Sequence, residues 1–123
     1  MEGEGSYGLN LWLVPNDPYF GSGFPEANYY KKYSDVKSAV PLLGDSVWVG
    51  SWPDSSDIVP DDLIRGIIGH ADGLFMGRFC IDRHKKAINI GFVDTRVDRV
   101  YLEDLWTLKW HRLFRPNPDV SIP

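Results

Sequence analysis

Apolar and polar residues alternate repeatedly along this chain, which is the pattern of a half-buried β-strand. In residues 87–93, for example, Ile88 and Ile90 share one face of a strand. We predict strands in six segments: 8–14, 46–52, 75–81, 87–93, 99–102 and 105–114. The segments 75–81 and 87–93 flank the basic run Arg83 to Lys86, so we expect them to form a hairpin.

Turn residues separate these segments at a spacing of roughly 8–12 residues, which is typical of all-β domains. We therefore predict a mostly β fold: a single antiparallel β-sheet in a sandwich or barrel-like domain, with at most one or two short helices. Residues 59–65 are a candidate helix, because Pro60 suits a first helical turn. Residues 105–114 are compatible with a helix as well as a strand, and residues 34–43 have a weakly helical or irregular pattern.

The length of 123 residues fits one domain, so we expect residues 1–123 to fold as a single unit. Residues 1–7 and 117–123 are expected to fray at its ends. Residues 19–33 are rich in Gly, Pro and Tyr without a sustained period, which predicts a long aromatic loop. Loops of this length often carry function, so this loop is the first place where a function is expected.

Charge and cysteine content narrow the class of protein. The formal net charge is −4 and the densest basic runs are short, so we expect no nucleic-acid partner. No apolar stretch approaches the ~18 to 20 residues of a membrane span, so no membrane insertion is expected. The lone Cys80 cannot form an intramolecular disulfide, which favours a reducing compartment and a cytoplasmic location.

The residues that usually carry catalysis or bind metals form no recognisable motif. His70, His84 and His111 are scattered, with no spacing that would place two metal ligands on one face. Cys80 lies in an apolar segment, where a thiol is usually buried and inert. We therefore predict no enzyme, no catalytic residue, no metal and no cofactor.

Aromatic side chains beside short polar ones are the most distinctive feature of the composition. They are Trp12, Trp48, Trp52, Tyr19, Tyr29 and Tyr30, with Asp17, Asn28, Asp54, Asp72 and Asn89. Aromatic rings stack on apolar faces, and carboxylates and amides form hydrogen bonds with hydroxyl groups. The mixture predicts binding of a glycan, a peptide or another small polar ligand.

Residues 46–102 resemble one repeat of the DM9 family. The resemblance rests on Trp48-Val49, Val59-Pro60, Gly66, Asp72-Gly73, Phe75, Gly77-Arg78, Gly91-Phe92-Val93 and Val100-Tyr101. The chain departs from the family pattern where Phe92 replaces a Lys and where Gly66 to Gly69 replaces a double Gly. The resemblance implies an antiparallel β fold and a lectin for mannose-type glycans.

Two functions are consistent with these observations. The first is a carbohydrate-binding, lectin-like module in which His70, Asp72 and Arg78 hold sugar hydroxyls. In that module Trp48 or Trp52 would stack on the sugar. The second is an acidic protein-interaction domain, such as an inhibitor or a toxin-immunity protein, that steers a basic protein partner. An exposed edge strand could also pair two copies into a homodimer.

Overall fold

The computed structural model describes residues 6–14, 24–36 and 39–123 of the chain. The strands are β1 (Tyr7–Asn10), β2 (Pro41–Asp45), β3 (Gly50–Ser51), β4 (Ala87–Phe92) and β5 (Val97–Tyr101). The helical segments are short 3-10 turns: Leu11–Leu13, Glu26–Asn28, Tyr33–Asp35, Phe75–Arg78 and Leu102–Thr107. The prediction of a mostly β fold is therefore confirmed.

The five strands form one open sheet in the order β3-β1-β2-β4-β5. Strand β2 pairs antiparallel with β1 and β4, and β4 pairs antiparallel with β5. After β2 the chain crosses over β1 and forms β3 at the edge of the sheet. Strand β3 therefore pairs with β1 and runs parallel to it. The sheet is therefore mixed. The prediction of a purely antiparallel sheet is wrong, and the described strands form neither a sandwich nor a barrel.

Asn10 ends β1 earlier than the alternation in residues 8–14 predicts. Its Oδ1 accepts a hydrogen bond from the Trp12 N–H at 3.2 Å. Its Nδ2 donates to the carbonyls of Pro41 and Trp110, both at 2.9 Å. The buried side chain thus caps the 3-10 turn that follows, which stops the strand halfway.

Residues 75–81 form a 3-10 turn and irregular chain instead of the predicted strand. Every residue in this segment is buried, so the alternation in the sequence does not separate a buried face from an exposed one. The Met76 N–H donates to the Asp57 carboxylate at 2.8 Å, which holds the turn. The predicted hairpin with residues 87–93 is also wrong, because β4 pairs with β2 and β5.

The remaining strand predictions have mixed outcomes. The predicted strands 87–93 and 99–102 are confirmed as β4 and β5, with small shifts in their ends. Within the predicted strand 46–52 only the two residues of β3 pair as a strand, and residues 105–114 begin in a 3-10 turn. Strand β2 lies largely within residues 34–43, where no strand is predicted, because Pro and Gly interrupt its apolar pattern.

Residues 59–65 form turns instead of the predicted helix. The Asp62 carboxylate accepts hydrogen bonds from the N–H groups of Ile64 and Arg65, at 2.9 and 3.1 Å. Such local bonds from a side chain to the backbone compete with helix formation. The acidic residue that favours a helix start in the sequence therefore stabilises a turn here.

The alternate residues Ile88, Ile90 and Phe92 of β4 lie in the core. Large side chains from the turns pack with them: Leu11, Trp12, Trp52, Phe75, Phe79, Leu102, Leu105, Trp106, Trp110 and Phe114. Burial of a large apolar side chain is worth about 1.5–3 kcal/mol. Side-chain burial therefore anchors the long irregular segments, which contribute few bonds to the sheet.

The predicted aromatic loop 19–33 and the predicted frayed segment 1–7 lie only partly within the described residues. The described part of the loop contains the turn Glu26–Asn28 and the buried side chains Tyr29 and Tyr30. Within the ranges that the structure covers, no helix has the length and apolar character needed to cross a membrane.

The C-terminal residues 117–123, for which the sequence predicts fraying, contact the rest of the domain. The Asn117 N–H donates to the Trp106 carbonyl at 2.9 Å. Val120 and Ile122 pack against the core.

Candidate functional site

Two buried tryptophans hold the loop of residues 53–57, which follows β3. The Trp12 Nε1–H donates to the Pro53 carbonyl at 2.7 Å. The Trp106 Nε1–H donates to the Asp57 carbonyl at 3.1 Å. Because both ends of the loop are bonded to core indoles, its two carboxylates are presented from a fixed backbone.

This loop borders a cavity of about 250 Å³, which we call the acidic pocket. Its aromatic lining is Trp12, Phe24, Trp52 and Phe75, and its polar lining is Asn28, Asp54, Ser56, Asp57 and Asp72. None of the described residues that line it is Lys or Arg. Drug-sized ligands usually occupy roughly 300–1,000 Å³, so the pocket suits a smaller group.

Asp57 is the buried carboxylate of the acidic pocket, with 7% of its surface exposed. Its Oδ2 accepts hydrogen bonds from the N–H groups of Asp54 and Met76, both at 2.8 Å. Its Oδ1 has no hydrogen-bond partner among the described residues. Burial, with smaller contributions from the nearby charges of Asp54 and Asp72, raises the pKa of Asp57 from 3.8 to about 7, although the two backbone hydrogen bonds lower it.

Asp54 has the opposite shift, because it accepts a hydrogen bond from buried His111. The His111 Nε2 lies 2.7 Å from the Asp54 Oδ1, and this bond is the largest cause of the fall in the pKa of Asp54 from 3.8 to about 2, to which a hydrogen bond from Ser56 adds. The Leu113 N–H donates to the His111 Nδ1 at 3.1 Å. His111 is therefore held between a backbone N–H and the Asp54 carboxylate. Asp54 thus keeps its negative charge.

The structure brings three of the five predicted site residues together. Trp52 and Asp72 line the acidic pocket. The His70 ring packs edge-on against the rings of Trp52 and Phe75, with centroids 5.7 and 5.3 Å apart. One ring face of Trp52 is covered, because Phe24 stacks on it at 4.1 Å.

Trp48 and Arg78 are not among the residues that line the pocket. Trp48 is 48% exposed, whereas Arg78 is buried. The Arg78 Nη1 donates to the Gly50 carbonyl at 3.0 Å, and its Nη2 donates to the carbonyls of Ile68 and Gly69 at 3.1 and 3.3 Å. Arg78 therefore connects residues 68–69 to strand β3.

Sequence reasoning missed Asp57 and His111 as site residues. Asp57 ends the turn-like run Asp54 to Asp57, where acidic residues are normally solvated. The only signal for His111 is its position between the buried residues Trp110 and Phe114, and that position does not indicate a carboxylate partner.

Metal and thiol chemistry have no candidate site in the described residues. No group of three or more His, Cys, Asp or Glu side chains in the covered ranges could hold a metal ion. Cys80 is fully buried, and burial raises the pKa of its thiol to about 12. A thiol in that environment is not nucleophilic near neutral pH.

Comparisons of this chain with protein-family models, with curated proteins and with solved structures found no match. The resemblance of residues 46–102 to a DM9 repeat stays a prediction.

Proposed function

We propose that this chain is a non-catalytic binding module whose acidic pocket takes a cationic group, such as a lysine ammonium, from a basic protein partner. The observation that carries the proposal is the Asp57 carboxylate. It is buried in the pocket, and one of its oxygens has no hydrogen-bond partner among the described residues. A buried carboxylate without an opposing charge is costly, and a cation in the pocket would stabilise its charged form.

The rest of the lining supports the same ligand chemistry. Asp54 and Asp72 add carboxylates to the pocket lining, and none of the described lining residues is Lys or Arg. Ammonium groups are also attracted to aromatic rings, which form the other part of the wall. The net charge of −4 would steer a basic partner toward the domain.

Carbohydrate binding has weaker support from this geometry. Stacking on a sugar needs an open aromatic face. Trp52 is only 2% exposed and lies under Phe24, while the exposed Trp48 is not part of the pocket lining. A neutral sugar would also not favour the charged form of Asp57, whereas a cation would.

The test is a titration with butylammonium, with uncharged butanol and methyl mannoside as comparison ligands. Trp12 and Trp52 line the pocket, so intrinsic tryptophan fluorescence should report binding. We expect a saturable change with butylammonium that weakens as salt is added, and no saturable change with butanol. Saturation by methyl mannoside alone would overturn the cation proposal in favour of a lectin.

A matched pair of variants tests whether the fluorescence change with butylammonium arises from binding in the acidic pocket. Asp72→Asn removes one charge from the lining, and Asp61→Asn removes one from an exposed residue that does not line it. We expect Asp72→Asn to weaken butylammonium binding by up to about fivefold, the range of a partly exposed charge pair. Equal weakening by both substitutions would mean that only the overall charge matters, which contradicts a defined site.

A further inference from the structure

A shallow surface cleft, separate from the acidic pocket, has the opposite charge. It has a volume of about 530 Å³ and is lined by Arg83, His84, Lys85, Asn89 and Arg99. We call it the basic cleft. Asn89 of β4 and Arg99 of β5 are register partners, so the cleft combines the sheet with the turn that precedes β4.

The Arg and Lys side chains of the basic cleft have no acidic partners among the described residues. No described carboxylate lies within ion-pair distance of Arg83, Lys85 or Arg99. The Arg83 Nε is buried and has no hydrogen-bond partner among the described residues. Three such cations in one cleft are unexpected in a chain whose net charge is −4. With Asp45 as the carboxylate that contacts cleft residues, they leave the cleft with excess positive charge.

Contacts with the backbone and with Asp45 hold the cleft in shape. The Arg99 Nε and Nη2 donate to the His84 carbonyl at 3.3 and 3.1 Å. The His84 Nε2 lies 3.1 Å from the buried Asp45 Oδ2, which also accepts the Asn89 N–H at 2.8 Å. The guanidinium and the imidazole are therefore positioned without a ligand.

The turn itself is conformationally strained. Lys85 and Lys86 have φ angles of 58° and 60°, in the left-handed region that favours glycine. Lysine at such positions is unfavourable, and local strain of this kind often accompanies function. Lys85 lines the cleft, whereas Lys86 does not.

We propose that the basic cleft binds a tetrahedral oxyanion of the phosphate or sulfate type. Arginine and lysine side chains with free donors are the usual ligands of such groups. The Asn89 amide adds a neutral polar group to the same wall. The oxyanion could be a free ion or a phosphate monoester on a larger molecule, because both present the same terminal oxygens.

The experiment is an amide NMR titration of the intact chain, with inorganic phosphate in one arm and phosphoserine N-acetyl amide in the other. We expect saturable shifts at His84, Lys85 and Asn89 that weaken with added sodium chloride. Tighter binding of the ester would identify a larger phosphorylated molecule as the source, and tighter binding of phosphate would identify the free ion. Shifts that are absent or that never saturate in both arms would overturn the proposal.

Two glycine variants provide a matched control. Lys85→Gly and Lys86→Gly each remove one positive charge at a left-handed position where glycine is favourable, so both proteins should fold. We expect Lys85→Gly to weaken phosphate binding by about fivefold and Lys86→Gly to leave it nearly unchanged. Equal weakening by both would show a diffuse charge effect and overturn the site.

Discussion

Replacing Asp57 by Asn tests the buried carboxylate that defines the acidic pocket. Asn has nearly the same shape, and its side-chain oxygen can accept the two N–H bonds that Asp54 and Met76 donate to Asp57. The substitution therefore removes the charge with little change in packing. Its effect on stability should depend on pH.

The sign and size of this effect follow from the raised pKa. Between the unfolded pKa of 3.8 and the folded pKa of about 7, the folded protein holds a proton on Asp57 that the unfolded chain has lost. The stability contribution of Asp57 is therefore fully present below 3.8 and is lost as the pH rises to about 7. The full loss in the free energy of unfolding is about 4 kcal/mol, and about 3 kcal/mol of it occurs above pH 5. Asn does not titrate, so the variant avoids this loss.

Urea unfolding followed by tryptophan fluorescence, at about pH 5 and about pH 8, measures the prediction. At each pH the quantity compared is the free energy of unfolding of Asp57→Asn minus that of the original protein. We expect this difference to increase by about 3 kcal/mol from about pH 5 to about pH 8. The exposed Asp61→Asn variant is the control and should show little change. If the stability difference for Asp57→Asn is the same at both pH values, the reasoning about the buried charge is refuted.

Three further predictions concern other buried groups. Arg78→Met leaves the Gly50 and Ile68 carbonyls without their donor, so urea unfolding should show a loss of about 3 kcal/mol in stability. A loss below about 1 kcal/mol would contradict a structural role for these hydrogen bonds. His111→Phe removes the hydrogen bond that lowers the pKa of Asp54, so NMR should find that pKa rising from about 2 toward 3.8. An unchanged pKa would disprove the contribution of His111. The Cys80 thiol, with a pKa of about 12, should react with a thiol reagent only on unfolding, and rapid labelling of the folded protein would refute its burial.

Local sequence pattern predicted the strands whose alternation separates a buried face from a more exposed one. In β4, one set of alternate residues is fully buried and most of the intervening ones are partly exposed, so the period of two is visible in the sequence. Residues 75–81 show a similar alternation but are buried throughout. Their conformation depends on Asp57, which bonds Met76 from 19 positions away, and a local pattern does not contain that contact.

The candidate site was predictable only in part for the same reason. Aromatic and acidic residues indicated a binding function, and Trp52 and Asp72 do line the pocket. The sequence gives no sign that Trp106 bonds the Asp57 carbonyl and helps to place that acidic turn in the core. The burial that perturbs the carboxylate arises from tertiary packing, so the residue central to our proposal emerged only from the structure.

The most direct test of the central claim is an NMR titration of the Asp57 carboxylate carbon, with and without saturating butylammonium. Our account predicts a pKa of about 7 in the free protein. A bound cation favours the charged form, so the pKa should fall by roughly one or more when butylammonium is present. A free-protein value near 3.8, or a raised value that butylammonium does not change, would contradict a cation-binding acidic pocket.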